Sequence, residues 1–145
     1  MIITREITDG QATTTGKYMH QMVNRYYKDM VPYASMPLIK VYDIIKAIPY
    51  RPDPPNEETL MRPLYTLTGF GTGGDCDDKA IALASYAKLV GIPYRFIAAR
   101  KKSQKTLHHV YPELYIRGVW TNADATYAFN SFGREREGYA QKVII

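Results

Sequence analysis

The chain has 145 residues, 46% of them hydrophobic and 23% charged, with 19 basic and 14 acidic side chains and a single cysteine. That length and apolar content suit one domain with a real core, not a disordered or fibrous chain. One cysteine excludes an intrachain disulfide framework, a net charge of +5 is too mild to imply a nucleic-acid binder, and no apolar run approaches the ~18 residues of a membrane span.

The opening residues, Met1-Ile2-Ile3-Thr4-Arg5-Glu6, lack the basic and then apolar pattern of a secretory signal, so the expected location is the cytoplasm. Residues 1–13 read as an extended arm with a turn at Asp9-Gly10. Thr14 or Thr15 is the expected cap of a helix whose apolar side is Tyr18, Met22, Val23 and Tyr26. After a connection from Asp29 to Ser35, a second helix is expected from about Met36 to Ala47, capped by Ser35 and buried along Leu38, Val41, Tyr42, Ile45 and Ile48. Arg51-Pro52-Asp53-Pro54-Pro55-Asn56 cannot be regular structure, because its prolines remove donors and fix the backbone. The segment after it is too short to begin a second domain, so it reads as a rigid loop followed by a short strand at Leu64 to Thr68.

From Cys76 onward, Ala80, Leu83, Ala84, Ala87 and Val90 recur at a helical period, and Gly91 and Pro93 supply the stop. Strands are expected at Tyr94 to Ala99, Leu107 to Ile116 and, through a turn at Arg117-Gly118, Val119 to Thr126. The cluster Arg100-Lys101-Lys102 with Lys105 reads as a solvated loop. Alternation puts His109, Tyr111, Glu113 and Tyr115 on one face of the second strand, and Trp120, Asn122 and Asp124 share a face of the third. Antiparallel pairing would bring His109 and Asp124 to one side, with Pro112 a candidate bulge or edge that shifts the register. Residues 128–145 read as a second arm. Thirteen tyrosines against four phenylalanines suit a half-exposed cleft or an assembly surface.

Cys76 falls in the first turn of its helix, where free backbone N–H groups and the positive end of the dipole favour a thiolate. Asp77 and Asp78 stabilise the same helix end but oppose the thiolate, so the net direction is open from sequence; a protonated His109 would tip it. A lone cysteine is more often a small buried hydrophobe than a nucleophile. Nucleophilic use needs a base and a group that orients the base, and Cys76, His109 and Asp124 could supply the three in chain order. On spacing alone, His109 could equally be a structural histidine and Asp124 a turn carboxylate.

Other chemistries fit less well. Gly69-Phe70-Gly71-Thr72-Gly73-Gly74 matches the dinucleotide pattern of glycines before a helix. However, Asp75, Asp77 and Asp78 stand where a pyrophosphate must dock, and no acidic ribose partner follows at the expected distance. No Gly-Lys-Ser/Thr completes a P-loop, the three histidines have no ligand spacing with the cysteine, and the aspartates lack the rest of a calcium loop. No metal and no cofactor is expected.

Gly74-Asp75-Cys76-Asp77-Asp78 before a small-residue helix, then Gly91-Ile92-Pro93-Tyr94-Arg95 into a strand, resembles the core of the transglutaminase-like superfamily of cysteine enzymes. His109 with Glu113 and Tyr115 looks like its histidine strand, and Trp120-Thr121-Asn122-Ala123-Asp124-Ala125-Thr126 like its tryptophan-led Asp-x-Thr strand. Tyr50-Arg51-Pro52-Asp53-Pro54 with Glu57 to Pro63 is similar to the segment before the cysteine in phage and prophage members. The resemblance covers roughly residues 14–127, departing at Pro112, where a β-former is usual, and at Ala125, where proline is common.

The resemblance implies a single α+β domain over 1–145 of papain-like type, with N-terminal helices and the Cys76 helix packed on a small antiparallel sheet. It implies Cys76 as nucleophile, His109 as general base and acid and Asp124 as the orienting group, for hydrolysis or acyl transfer at an amide of a peptide or protein. The Cys76 N–H and Tyr50 are candidate oxyanion donors. The alternative it carries is a non-catalytic assembly module, with virion proteins as partners; neither membrane nor nucleic acid is an expected partner.

Overall fold

In this computed structural model, residues 2–6, 12–53, 57–68 and 73–145 are described. In chain order they form β1 (Ile2–Glu6), α1 (Ala12–Tyr26), a 3-10 helix (Tyr27–Tyr33), α2 (Leu38–Lys46), β2 (Glu57–Met61), α3 (Pro63–Thr68), α4 (Cys76–Val90), β3 (Tyr94–Lys101), β4 (His109–Ile116), β5 (Val119–Asn122) and β6 (Tyr139–Ile144). Strands β1 and β2 pair antiparallel, and the other four form an antiparallel sheet in the order β5-β4-β3-β6.

Helix α4 is the centre. Every residue from Asp77 to Ala87 is buried, so α4 has no solvent face over this stretch, only different neighbours on each side, and it reaches solvent in its last turn at Lys88 and Val90. Small residues make this workable: Ala80, Ala82, Ala84 and Ala87 let the surrounding elements approach closely. Met30, Val41, Tyr42 and Ile45 pack on one side of it with Leu83 and Leu114, while Met19, Met22, Val23 and Leu60 pack on another with Ile81, Phe96 and Val110. The opposite face of the sheet carries a small cluster of Ile97, Ala99 and Tyr111, joined by Tyr139.

Several elements depart from expectation, each for a local reason. Residues 2–6 are not an arm but a strand whose polar backbone is satisfied by β2, and within 128–145 the segment Tyr139–Ile144 is likewise a strand, on β3. Helix α1 starts at Ala12, ahead of the expected caps at Thr14 or Thr15. Helix α2 is entered through Pro37, with no side-chain cap, so Ser35 is not its cap. Leu64 to Thr68 is helical, not a strand, removing the strand that a dinucleotide site would need. The Asp9-Gly10 turn, residues 54–56 and residues 69–72 of the glycine run lie outside the described residues.

The β3–β4 register runs unbroken through Pro112, which sits opposite Phe96. Tyr115 donates to Pro93, so alternate amides of β4 face β3 and the missing Pro112 N–H faces β5. Only the Ala123 N–H to Pro112 carbonyl bond (3.0 Å) forms there, and β5 ends at Asn122 instead of running on to Thr126. Arg117 (φ 53°) and Gly118 (φ 80°) make the expected tight turn between β4 and β5.

A short parallel bridge joins Tyr50 to Gly74: Gly74 donates to Pro49 (3.1 Å) and Arg51 donates to Gly74 (3.0 Å). Gly73, at φ +125°, allows this approach, since a Cβ there would lie 2.5 Å from the Pro49 carbonyl oxygen. Gly73→Ala is therefore expected to lower stability by about 2–4 kcal/mol in urea unfolding, from backbone strain plus the clash. Gly118→Ala, whose Cβ meets nothing within 4 Å, should cost only about 1–2 kcal/mol.

Candidate active site

The site is assembled around the first turn of α4. Asp75 is the N-cap: its Oδ1 accepts from the Asp77 and Asp78 amides (3.1 and 3.2 Å), and the Asp78 carboxylate accepts back from the Asp75 amide (3.1 Å). This is a capping box with aspartate in the usual glutamate position. The other oxygen of Asp78 accepts from Met61 (2.9 Å), tying the end of β2 to the helix start. Burial raises the Asp78 carboxyl to about 6, with the Met61 and Asp75 hydrogen bonds opposing the rise. Burial, then the charges of Asp77, Asp78 and Asp53, raise the Asp75 carboxyl well above the carboxylate range, and its side chain hydrogen-bonds to that of Asp53.

Cys76, half-buried, is the first helical residue. Its Sγ donates to Asp77 Oδ1 at 3.5 Å and receives the backbone N–H of Val110. The thiol is raised well above its ordinary value, by burial first and by Asp77 and Asp75 next, with the Val110 amide pulling the other way. The helix-end preference for thiolate expected from sequence is thus outweighed, first by burial of the thiol and then by the carboxylates beside the sulfur.

His109 Nε2 lies 2.7 Å from Asp124 Oδ2, and both side chains are buried. Asp124 is not on a strand. Beyond the end of β5 the chain bends, with the Asp124 amide donating to Asn122 Oδ1 (2.9 Å) and the Thr126 amide donating to Asp124 Oδ1 (3.0 Å). Tyr42 and Asn130 both donate to the Asp124 carbonyl (2.7 and 3.0 Å). Burial would raise the Asp124 carboxyl, but bonds from His109 and Thr126 overcome it and hold the group below its ordinary value.

The structure therefore joins two of the three sequence-predicted residues directly. The third, Cys76, contacts the amide next to His109; among the described residues its sulfur is not hydrogen-bonded to the imidazole. His108 lies exposed, bonded to Thr106 Oγ1 (3.1 Å), away from the pair.

Tyr50 is held beside Cys76 by its bridge to Gly74, and its phenol is pushed up to about 12 by burial, then by Cys76, Asp75, Tyr127 and Asp77. The Tyr127 ring packs 5.3 Å from that of His109, with Tyr111 and Tyr139 at 5.7 and 6.2 Å.

Lys79, which has the look of an ordinary helix-surface residue in the sequence, is 2% exposed. Its ammonium donates to the carbonyls of Ile48 (2.6 Å), Lys46 (3.3 Å) and Thr126 (3.5 Å), joining the chain that leads to Tyr50 and the bend that holds Asp124. Burial lowers its pKa, while Asp124 works to raise it. Sequence reasoning missed Lys79 and the braces of Asp124. The alternating Asn122-x-Asp124-x-Thr126 pattern was the available signal for the latter, since side chains of this kind bond amides two residues on.

Among the described residues, no cluster of three or more histidine, cysteine or acidic side chains is placed to hold a metal ion, and no helix is long and apolar enough to cross a membrane.

Asp75 sets the pH behaviour of this end. Because its folded pKa lies above its unfolded value of about 3.9, the folded state keeps a proton that the unfolded chain has released, and stability falls as pH rises from there. Asp75→Asn keeps a capping oxygen and a donor toward Asp53 without the charge. Its thermal midpoint relative to the native protein is expected to rise steadily between pH 5 and pH 9; a constant difference would mean that Asp75 carries no proton in the fold.

The family model for the transglutaminase-like superfamily matches residues 3–125. No curated protein matches the chain. Among solved structures, that of a candidate cysteine protease from Cytophaga hutchinsonii is 16% identical with a TM-score of 0.48, covering 94% of this chain and 48% of that one, so the chain spans about half that protein's length. With a helix that starts at a cysteine and lies against an antiparallel sheet, and with the family model matching residues 3–125, this protein belongs to the transglutaminase-like superfamily.

Proposed function

We propose that the chain is a cysteine amidohydrolase in which Cys76 is the nucleophile, His109 the general base and acid, and Asp124 the group that orients His109. The observation that carries this reading is the buried 2.7 Å His109–Asp124 bond, made through Nε2, beside the Val110 amide that touches the sulfur. With Nε2 held by Asp124, Nδ1 is the nitrogen free to exchange a proton.

In the resting state the thiol is protonated and leans on Asp77. A substrate carbonyl that displaces this contact lets Nδ1 take the thiol proton as the S–C bond forms. The oxyanion is received by the Cys76 N–H, which has no partner within its helix at this position, and by the Tyr50 hydroxyl, which is protonated at neutral pH. Collapse breaks the C–N bond, and the imidazolium gives its proton to the leaving amine. Water, deprotonated by His109, then resolves the acyl-enzyme and the thiol is restored. An amine in place of water gives acyl transfer; hydrolysis is the first choice because no residue marks an amine site.

A second reading, an assembly module with virion proteins as partners, is favoured by one observation: the raised thiol, which is what an inert structural cysteine has. The two separate on p-nitrophenyl acetate. The enzyme reading expects a burst of nitrophenolate with an acetyl group on Cys76, absent in Cys76→Ala and slowed by roughly 10²–10⁴ in His109→Ala. A folded protein left unacetylated would sink the hydrolase reading in favour of the module.

The resting state itself is open to measurement. Alkylation by iodoacetamide should show an apparent thiol pKa above the free value of about 8.5, and Asp77→Asn should speed it at pH 7 by roughly three- to tenfold. An unchanged rate would show that Asp77 does not hold the thiol protonated.

A further inference from the structure

Tyr127 has two sides. One faces His109 at 5.3 Å, and its hydroxyl feels the charges of Asp124 and Cys76. Next to it Phe129, 64% exposed, stacks at 5.1 Å with the planes 12° apart, so the two rings form an aromatic shelf leading out from the site. Arg136 lies over this shelf, its guanidinium 4.5 Å from the Tyr127 centroid and 5.6 Å from that of Phe129, and its side chain also hydrogen-bonds to Tyr127.

Among the described residues no carboxylate forms an ion pair with Arg136. Its neighbour Glu135 is engaged by Lys142 at 2.6 Å. A cleft of about 430 Å³ opens here, lined by Arg136 with Glu135, Glu137, Tyr139 and Lys142. A guanidinium resting on aromatic faces keeps N–H groups at its edge for a carboxylate, in the fork geometry that suits two oxygens.

The charges around the sulfur set where such a carboxylate can lie. Asp77 stands beside the sulfur and repels an anion placed next to the thiol. Arg136 lies against Tyr127, whose ring in turn packs against that of His109.

We propose that Arg136 is a specificity-determining residue: it selects acyl donors that carry a carboxylate able to reach the guanidinium past Tyr127, with Tyr127 and Phe129 supporting the apolar stretch between. This rests on the reading of Cys76 as the nucleophile beside His109, and it names that site's substrate class as acidic acyl compounds.

Two aryl disulfides test it without knowledge of the natural substrate. 5,5′-Dithiobis(2-nitrobenzoate) carries a carboxylate on each aromatic ring, meta to the sulfur, and 4,4′-dithiodipyridine is a smaller, uncharged aryl disulfide. Rate constants for Cys76 with each are measured in the native protein, Arg136→Gln and Arg136→Lys, all shown to be folded by circular dichroism. The ratio of anionic to neutral rates is expected to fall by roughly five- to tenfold in Arg136→Gln, the worth of one charge contact at a half-exposed site, and to stay within about twofold of native in Arg136→Lys. A ratio unchanged in Arg136→Gln overturns the assignment of Arg136 while leaving the nucleophile in place. A native Cys76 that reacts with neither disulfide overturns the nucleophile reading itself, and the substrate class with it.

Discussion

Burial of α4 on every side is the constraint from which the rest follows. From Asp77 to Ala87 every residue is buried, so the charged groups in that stretch must be satisfied by the protein, although the Ser85 hydroxyl has no hydrogen-bond partner among the described residues. Three of the residues there are charged types. Asp78 is satisfied by amides of Met61 and Asp75, Lys79 by three carbonyls, and Asp77 stands next to the thiol it accepts from. Each of these solutions fastens another segment to the helix: β2 through Asp78, the end of α2 and the bend after Asp124 through Lys79. The elements around the sulfur are held where they are by the needs of a buried helix.

The same economy has an electrostatic consequence. Carboxylates at a helix N-terminus cap its free amides and complement its dipole, and here they do so in a buried place. Burial, with the like charges of the neighbouring aspartates, emerges as raised pKa values on the Asp75 and Asp78 carboxyls and on Cys76. Asp124 shows the opposite outcome at similar burial, because its carboxylate is supplied with donors from His109 and Thr126. Environment separates the two ends of the site: a thiol kept neutral on one, a carboxylate kept charged on the other. On the proposed reading, His109 is the proton acceptor that works between them.

The aromatic residues give this polar arrangement its walls. Tyr111, Tyr127 and Tyr139 surround the His109 ring, shielding the pair with Asp124 from water and strengthening it. The richness in tyrosine over phenylalanine is explained in part by Tyr42, whose ring is in the core while its hydroxyl bonds the Asp124 carbonyl. An all-phenylalanine version could fill the same volume but could not brace the bend.

Much of this was legible in the chain itself. The α4 boundaries follow from Asp75, Gly91 and Pro93, because caps and stops are local chemistry. The order of Cys76, His109 and Asp124 and the turn at Arg117-Gly118 were equally readable, as was the alternation along β4. The short strands β1 and β6 were not, since a strand of five or six residues acquires its meaning from the partner it pairs with, and those partners, β2 and β3, lie far away in sequence. Nor was the burial of Lys79, which required α2 and the Thr126 bend to converge on one face of α4. The direction of the Cys76 shift was beyond reach for the same reason: dipole and carboxylates oppose each other in sequence, and only burial, a property of everything packed around the helix, decides between them. Local signals fix which residues start, stop and alternate; which charges end up in the dark is settled by the packing of distant segments, because desolvation belongs to the assembled fold.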